Sequence, residues 1–284
     1  IQHTTETDGH SPKEGDYVQT TGIVTAIGGP SWAQMFVLQS GSGSWNGIHC
    51  FFNPGDLELG DEVTVRGYVV EYVANGGDTT KTLTELTSGY IIEVISSDNA
   101  LPAATVLDLE DVADEQYEGV RVTTSGTVVE AVNEDSYGEW RMSNNMDFSD
   151  LDADTVNVDD RFVATSPQAG TIATVTGPLN QWGGSNSSAP SWKIEPALAT
   201  DVVIECDNAD LVIYVEMQDE FGDGWNGGTY SILDDNTPPS VVASGGLEGG
   251  SAGVDEWCLL EGTYQIIVGG GAWDGEIGFN IVDA

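Results

Sequence analysis

Residues 14–24 read EGDYVQTTGIV, and residues 118–128 read EGVRVTTSGTV. A second matching pair follows, because residues 60–67 read GDEVTVRG and residues 170–177 read GTIATVTG. In these segments apolar residues alternate with polar ones and β-branched residues are frequent, which predicts half-buried β-strands. Since the segments recur in the same order, the chain is predicted to contain a duplicated β-unit.

The neighbouring sequence continues this β pattern. The first copy is predicted to have strands at residues 18–24, 35–38, 48–52, 62–72 and 91–95. The closing strand near residues 90–95 matches residues 201–205 of the second copy. A short turn at residues 107–113 is the one moderate helical candidate, so the fold is predicted to be all-β.

Four glycines stand at matching places inside the long strands of the two copies. They are Gly22, Gly67, Gly126 and Gly177. A glycine inside a strand pattern marks a bulge or a sharp bend. Long strands that bend at such points allow a sheet to curl and close as a small barrel. The pattern therefore predicts two consecutive five-stranded Greek-key barrels of the OB-fold type.

The order EGDYVQTTGIVTAI, MFVLQSGSGSWNGIHCFF, GDEVTVRGYVVEY and GYIIEV resembles the OB-like modules of bacterial secreted proteins. Such modules often flank extracellular nucleases and occur in large surface proteins. The resemblance covers residues 13–96 closely and 97–205 more loosely. It implies a fold rather than a function. We predict a leader at residues 1–14, OB-like domains at 15–96 and 97–205, and a separate domain at 206–284.

The last domain carries a distinctive loop, DEFGDGWNGG at residues 219–228. Strands are predicted around it at residues 211–215, 229–233, 262–268 and 276–282. The segment resembles a small β-sandwich domain marked by the signature D-x-(aromatic)-G-D-G-W-N-G. The resemblance places one cysteine before the first strand and another before a G-x-Y strand, which here are Cys206 and Cys258. Their disulfide would close a loop of about 50 residues and stabilise the domain by roughly 4 kcal/mol. Cys50 is then left as a buried free thiol.

The glycine-rich loop is the best candidate for a metal site. Asp219, Asp223 and Asn226 offer side-chain oxygens among glycines that permit tight turns. Calcium binds six to eight oxygen ligands, so Asp274 or Glu276 from the facing strand would complete the shell. Trp225 is expected beneath the loop. The alternative is a turn that caps itself through side-chain to backbone hydrogen bonds.

A second acidic stretch, Asp150-x-Asp152-x-Asp154, has the spacing of the start of an EF-hand loop. Thr155 and Arg161 stand where that loop needs glycine and glutamate, so we reject the EF-hand. A solvated acidic loop is the default interpretation, and a calcium loop of another type is the alternative.

The charge balance excludes several partner classes. The chain has 47 acidic against 7 basic residues and a formal net charge of -40. Such a surface repels phosphates and anionic lipids, and it attracts divalent cations. A saline, calcium-containing extracellular environment would screen it, although the charge is equally consistent with a solubility surface of a marine or halophilic organism. No apolar run reaches the roughly 18 residues of a membrane span. The start at Ile1 is interpreted as a mature product without its signal peptide.

The sequence argues against nucleic-acid binding, although an OB-fold suggests it. Aromatic platforms are available at Trp32, Phe36, Trp45, Phe51 and Phe52. The lysines are scattered, so no basic groove is predicted, and these aromatics are interpreted as core or interface residues.

Catalytic signatures are also lacking. The three histidines are isolated, and no G-x-S-x-G, H-E-x-x-H or P-loop pattern occurs. We therefore expect no enzymatic activity.

The polar leader is the predicted assembly element. Ile1, Gln2, His3, Thr4 and Thr5 have no core of their own. They are expected either to dock on a neighbouring subunit, adding to a β-edge, or to pack on their own first barrel. Two functions follow. The first is a calcium-stabilised, self-assembling subunit of an extracellular filament, layer or matrix. The second is a nucleic-acid- or polysaccharide-binding accessory fragment of a secreted nuclease or hydrolase.

Overall fold

The structure is a computed structural model in which the described residues form an all-β protein. The described residues are 1–5, 9–28, 34–73, 77–132, 138–144, 155–165, 167, 169–182, 191–205, 211–235, 239, 241–247, 249–259 and 262–283. The chain divides into two compact units. The first comprises Ile1–Thr165 with Thr174–Val203, and the second comprises Ser166–Ala173 with Ile204–Ala284. Among the described residues no helix is long and apolar enough to cross a membrane.

The first unit begins with a closed five-stranded barrel. Its strands are β1 (Tyr17–Ile27), β2 (Phe36–Gln39), β3 (Gly47–Phe51), β4 (Glu62–Tyr72) and β5 (Leu83–Ser96). The strands follow one another round the barrel in the order β1-β2-β3-β5-β4, and β3 runs parallel to β5. All five strands predicted from the sequence are therefore present, and β5 begins earlier than expected.

The glycines predicted to bend the long strands lie where backbones approach closely. A Cβ on Gly22 would come within 3.1 Å of the Gln39 backbone. The pairing of β4 with β5 shifts register between Arg66 and Tyr68, which is the position of Gly67. The irregularity predicted from an interior glycine is present at Gly67, whereas at Gly22 the glycine permits a close backbone approach and the register shift of β1 with β2 lies between Val24 and Ala26.

The second β-unit, most of which falls within the first compact unit, repeats the same strand order. Its strands are β6 (Thr105–Val106), β7 (Arg121–Glu130), β8 (Trp140–Ser143), β9 (Thr155–Val158), β10 (Ile172–Gln181), β11 (Trp192–Ile194) and β12 (Val202–Glu205). They form one sheet in the order β12-β10-β11-β9-β8-β7-β6, and β10 also pairs with β7. The cycle β7-β8-β9-β11-β10 therefore matches the barrel strand for strand, including a parallel β9–β11 pair. This topology confirms the duplication predicted from the repeated segments.

Among the described residues, the helical elements are short 3-10 turns. They span Leu109–Asp111, Glu115–Tyr117, Ala199–Asp201 and Asp274–Glu276. The predicted turn at residues 107–113 is the first of these.

The barrel core contains the apolar side chains that the strand pattern predicts. Phe36 and Phe52 pack edge to face with ring centroids 5.1 Å apart. Cys50 is buried among them as a free thiol, as predicted, and burial raises the pKa of that thiol well above its usual value.

The two halves of the first unit contact each other through backbone and buried polar groups. The His49 ring lies 3.1 Å from the Leu179 carbonyl, and the Arg121 N–H donates to the buried Gln39 amide oxygen at 2.8 Å. A Cβ on Gly47 would lie 2.0 Å from the Gly119 carbonyl carbon, so only glycine allows this approach.

The second unit contains two three-stranded sheets. Its strands are β13 (Leu211–Asp219), β14 (Thr229–Leu233), β15 (Val241–Gly245), β16 (Ala252–Leu259), β17 (Gln265–Gly269) and β18 (Ile277–Asp283). The sheets have the orders β16-β13-β18 and β15-β14-β17. Their shared core includes Val215, Met217, Trp225, Tyr230 and Ile232. The sequence predicted four of these strands and missed β15 and β16, in which small and charged residues interrupt the alternation.

The leader packs on its own chain. Ile1 contacts the barrel core, and the Gln2 side chain is buried. The Gln2 amide donates to the Glu118 carboxylate, and the Ser11 hydroxyl donates to the Ile1 carbonyl at 2.7 Å. Of the two placements expected for the leader, this structure shows the one on its own first barrel.

Candidate metal site in the C-terminal unit

The predicted metal loop leaves the end of β13 and turns sharply. Gly222, Gly224, Asn226 and Gly227 all have positive φ angles, of 82°, 90°, 52° and 86°. Glycine adopts this region without steric cost and asparagine tolerates it better than most residues, which explains why this loop is rich in both. The chain therefore wraps round the carboxylate of Asp219, the last residue of β13.

The buried side chain of Asp219 holds the loop in place. Its side chain is 5% exposed, and its Oδ2 accepts hydrogen bonds from the backbone N–H groups of Gly222 and Asp223. Its other oxygen, Oδ1, is buried without a hydrogen-bond partner among the described residues. A buried carboxylate oxygen without a donor is costly, and a bound cation would satisfy it.

Trp225 lies beneath the loop, as predicted. Its indole N–H donates to the Gln218 carbonyl at 2.9 Å, and its ring meets Tyr230 edge to face. The backbone N–H of Trp225 bonds the Leu247 carbonyl at 2.7 Å. This buried ring ties the loop to the core and holds the Asp219 turn in position.

Three carboxylates converge at this loop. Asp219, Asp223 and Glu276 each offer one oxygen, and these oxygens lie within 4.8 Å of one another. Glu276 arrives from the 3-10 turn before β18, and its carbonyl accepts from the Glu220 N–H at 3.3 Å. The group is graded in exposure: Asp219 is buried, Glu276 is half-buried and Asp223 is exposed. Such a set of hard oxygen ligands with an open side suits a divalent cation of the calcium or magnesium type.

The electrostatics of the cluster favour the same ligand class. Partial desolvation, followed by the negative charges of Asp219, Asp223 and Glu220, raises the pKa of Glu276 above its ordinary value. Carboxylates held this close repel one another when ionised. A divalent cation removes that repulsion and displaces the proton.

The other two predicted ligands have different roles. The Asn226 amide nitrogen donates to Asp223 Oδ1 at 3.3 Å and to the Gly224 carbonyl at 2.8 Å, so Asn226 supports the loop. Both oxygens of Asp274 accept backbone N–H groups, from Gly270 and Gly271, and they cap the neighbouring turn. The described geometry therefore groups Glu276, and not Asp274, with the loop carboxylates.

The self-capped turn expected as the alternative is also present. Asp219 Oδ2 caps the loop through the two backbone bonds described above. That cap uses one oxygen of one residue. It leaves Asp219 Oδ1 and the carboxylates of Asp223 and Glu276 available to a cation. Capping and cation binding are therefore compatible here.

A buried ionic cluster in the second β-unit was not predicted from the sequence. Lys193 pairs with Glu139 and, at 3.3 Å, with Asp159. Arg161 Nε pairs with the fully buried Glu195 at 3.1 Å. Burial raises the pKa of Glu195 to about 7, although the charge of Arg161 opposes the shift. These residues are scattered along the sequence without a motif, so only the fold brings them together.

Basic side chains are mostly occupied in such pairs. Among the described residues, carboxylate partners are seen for Lys13, Arg121, Arg141, Arg161 and Lys193. Two of the aromatic residues considered as stacking platforms, Phe36 and Phe52, are core residues, whereas Trp32 lies outside the described residues.

Two further predictions lie wholly or partly outside the described residues. The acidic stretch at residues 150–154 is one, and Cys206 of the expected disulfide is the other. Pairing of Cys206 with Cys258 remains a prediction.

No protein-family model matches the chain, and no curated protein matches it significantly.

Proposed function

We propose that this chain is a non-catalytic, secreted structural protein that binds calcium and assembles with copies of itself in an extracellular filament, layer or matrix. The observation that carries the proposal is the cluster of Asp219, Asp223 and Glu276 round a buried, unpartnered carboxylate oxygen. The chemistry of this cluster is that of cation binding.

The proposed architecture is two tandem OB-like barrels followed by a small β-sandwich of the DGWNG type. The strand order β1-β2-β3-β5-β4 and its repetition in β7 to β11 support the OB-like interpretation. Two three-stranded sheets with a common core support the sandwich. A disulfide between Cys206 and Cys258 belongs to the same proposal and fits a secreted protein.

Calcium has a stabilising role in this proposal. The Asp219 loop joins β13 to the strands of the opposite sheet, and Glu276 opens β18, which pairs with β13. A cation bound to all three carboxylates links the end of β13 to the residue before β18, where the two strands meet. Because the ion binds only the folded arrangement, it stabilises the unit by mass action.

The acidic composition makes cations necessary for assembly. A net charge of -40 repels a second copy of the same chain. Divalent cations bound at carboxylate clusters lower this charge and allow the copies to approach. Self-assembly is therefore expected to depend on calcium more strongly than on monovalent salt at equal ionic strength.

Electron microscopy of the purified full chain tests the proposal. Polymers are expected in millimolar calcium, and they should dissociate after a calcium chelator is added. The Asp219→Asn variant should assemble poorly, whereas Asp235→Asn, which removes the same charge at an exposed position, should assemble normally. Monomers at every calcium concentration would contradict the proposal.

A second candidate function has a specific observation in its favour. Phe51, Tyr72 and Trp182 form a row with ring centroids 6.5 Å and 5.8 Å apart, and Tyr72 is 38% exposed. Rows of aromatic rings stack against sugar rings, and an anionic surface tolerates a neutral polysaccharide better than a nucleic acid. An accessory module that binds polysaccharide would use this row.

Binding of the full chain to neutral polysaccharides separates the two functions. Under the second candidate, Tyr72→Ala should abolish retention on an insoluble neutral polysaccharide, while Tyr68→Ala, at another exposed tyrosine, should not. If the wild-type chain is not retained, the second candidate is discarded.

A further inference from the structure

We propose that the calcium centre of the C-terminal unit binds a neutral saccharide. Hydroxyl groups on adjacent carbons of the sugar coordinate the ion, and the rings of Phe221 and Trp273 stack on the sugar. This inference rests on the calcium site proposed above and names the class of ligand that the site takes. All the residues that carry it belong to the C-terminal unit.

The carboxylate cluster leaves coordination positions for a ligand from outside the chain. Asp219 Oδ2 already accepts two backbone N–H groups of the loop, whereas Asp219 Oδ1 is buried without a hydrogen-bond partner among the described residues. Asp223 and Glu276 supply the other carboxylates, and Asp223 is exposed. Calcium takes about six to eight oxygens, which is more than these three side chains have free. The remaining ligands therefore come from solvent or from a bound molecule.

Two large aromatic side chains lie exposed beside the carboxylates. Phe221 stands between Asp219 and Asp223 in the loop and is 74% exposed. Trp273 comes directly before the 3-10 turn that contains Glu276 and is 63% exposed. Tryptophan is highly buried on average in folded proteins, so this degree of exposure is unusual. Large apolar rings exposed next to a polar site indicate an interaction surface.

Hydrogen bonds join the two segments that carry these aromatic residues. The Glu220 N–H donates to the Glu276 carbonyl at 3.3 Å, and the Ala272 N–H donates to the Asn226 carbonyl at 3.2 Å. Each aromatic residue directly follows one of these two donors in the sequence. Both aromatic residues therefore belong to the same edge of the unit as the three carboxylates.

The charge at this edge favours a neutral ligand. Three ionised carboxylates carry more negative charge than one divalent cation neutralises, and the exposed carboxylate of Glu220 adds to it. The whole chain has a formal net charge of -40. Phosphate, sulfate and carboxylate ligands are repelled by this field, whereas hydroxyl oxygens are not.

A sugar ring supplies both kinds of group that this edge can bind. Its hydroxyl oxygens are hard and neutral, and two on adjacent carbons can replace two water molecules on the ion. The C–H groups on its ring are weakly positive and meet the negative face of an aromatic ring. An apolar peptide would use only the rings, and a simple alcohol would use only the ion. The site therefore fits a saccharide with free hydroxyl groups on adjacent carbons.

Retention of the purified full chain on bead-coupled neutral polysaccharides tests the inference. Mannan, galactan and dextran are offered in millimolar calcium, with and without a calcium chelator, and uncoated beads measure the background from polymers. Retention on at least one polysaccharide is expected, with release by the chelator. Retention on none of the three would overturn the inference. So would retention that persists in the chelator, since binding to the row of Phe51, Tyr72 and Trp182 needs no ion.

A chemical change to the probe tests the role of the hydroxyl groups. Periodate cleaves the bond between carbons that carry adjacent hydroxyls, and later reduction removes the aldehydes that form. Beads whose polysaccharide has been treated in this way should no longer retain the chain. Undiminished retention on the treated beads would contradict coordination by adjacent hydroxyls.

Substitutions test the role of the two rings. Phe221→Ala and Trp273→Ala should each weaken retention by at least about tenfold. Trp273→Phe keeps a ring and should recover much of the loss. Val254→Ala is the matched control, because Val254 is 62% exposed on β16 of the same unit, and it should be retained as wild type is.

Calorimetric titration of the same variants with calcium alone separates stacking from a structural role. Alanine variants that bind calcium but are not retained support stacking. Variants that lose calcium binding would show that the rings only maintain the loop, which overturns their assigned role. Retention of both alanine variants at the wild-type level would overturn it as well.

The outcomes for wild type separate this inference from the proposed function. Calcium binding without retention on any polysaccharide would overturn the inference and leave the calcium site standing. No calcium binding would overturn both. Calcium-dependent sedimentation with vesicles of phosphatidylserine and phosphatidylcholine, without retention on a polysaccharide, would assign the exposed rings to a lipid surface and overturn the saccharide.

Discussion

The side-chain amide of Gln2 donates a 3.0 Å hydrogen bond to Glu118, which lies 116 positions away. The same carboxylate oxygen accepts from the Thr84 N–H at 2.9 Å, while Glu118 Oε2 is buried without a partner among the described residues. Burial is the main cause that raises the pKa of Glu118 well above its ordinary value, and Glu115 adds to the shift. Glu118 thus connects the leader, the first barrel and the second β-unit through one buried group.

Removing the Gln2 side chain should destabilise the first unit. Gln2→Ala leaves a buried acceptor with one donor fewer, which is expected to cost about 1–3 kcal/mol. Urea denaturation followed by tryptophan fluorescence measures the change. Lys13→Ala, at an exposed surface ion pair, serves as the control and should change the free energy of unfolding by less than about 1 kcal/mol. Equal effects of the two substitutions would contradict the role assigned to Gln2.

The stability of the first unit should depend on pH through Glu85. This carboxyl is 4% exposed, and burial raises its pKa to about 8, with Arg161 opposing and Glu71 adding to the shift. In the unfolded chain it releases its proton near pH 4.5, whereas the folded chain retains it up to about pH 8. The folded state therefore binds more protons in this window, and the contribution to stability is lost as pH rises from about 4.5 to 8.

Glu85→Gln should flatten that dependence. Glutamine stays neutral over the whole range. Between pH 5 and pH 8 the free energy of unfolding is therefore expected to fall by on the order of 3 kcal/mol more in wild type than in the variant. Denaturation midpoints measured across this range provide the comparison. Parallel curves for the two chains would show that Glu85 ionises normally in the folded state.

His49 should make the first unit less stable as the pH is lowered, which is opposite in direction to the effect of Glu85. Burial lowers the pKa of this ring to about 4, so the folded chain keeps it neutral where the unfolded chain protonates it. Its contribution to stability is therefore lost as pH falls from about 6.5 to 4.

Substitutions at the residues that the sequence predicted as calcium ligands should differ in their effect on calcium affinity. Asp219→Asn and Glu276→Gln are each expected to weaken calcium binding by at least about tenfold to a hundredfold, as measured by isothermal titration calorimetry. Asp274→Asn should bind calcium as wild type does, because its carboxylate caps a turn instead. Asp235→Asn controls for the loss of one charge. A larger effect at Asp274 than at Glu276 would reverse the assignment.

The same site should lose calcium in acid. The raised pKa of Glu276 means that calcium must displace its proton over a higher pH range than for an ordinary glutamate. Affinity is therefore expected to fall as pH is lowered, with proton release on binding. Calorimetry in buffers of different ionisation enthalpy detects that release, and binding without proton uptake or release at pH 5 would argue against a role for Glu276.

A buried ion pair should stabilise the C-terminal end of the second β-unit. Arg121 Nη2 bonds Asp201 Oδ1 at 2.7 Å, and Asp201 Oδ2 also accepts from the backbone of Ala197 and Leu198. Removing one partner of a buried pair leaves an uncompensated charge and typically costs about 3–5 kcal/mol. Asp201→Ala is therefore expected to be strongly destabilising in thermal denaturation, whereas Asp16→Ala, at an exposed pair, should have little effect.

The proposed disulfide is testable by mass spectrometry. Peptides containing Cys206 and Cys258 should migrate as one linked species until a reductant is added. Reduction is expected to destabilise the C-terminal unit by about 4 kcal/mol in the chain-entropy account. Alkylation of Cys206 and Cys258 without prior reduction would show that they are not paired.

The sequence predicted the β-elements well, because strand periodicity and interior glycines are local signals. Residues 62–72 and 229–233 were predicted with the bounds that the structure has. The strands β15 and β16 were missed because their alternation is interrupted, and β16 is held in place by pairing with β13 along its whole length. Pairing of this kind depends on a distant strand and leaves little trace in the local pattern.

The sequence by itself determined that the chain is all-β and duplicated, that the loop at residues 219–226 collects carboxylates, and that the surface is strongly anionic. Each of these follows from residue type and spacing along the chain. Only the tertiary structure decided that Glu276 and not Asp274 joins the loop, that Lys193 and Arg161 are buried among acids, and that Gln2 reaches Glu118. The reason is physical: hydrogen bonds and ion pairs act over a few ångströms, and only the fold brings together residues that lie far apart along the chain.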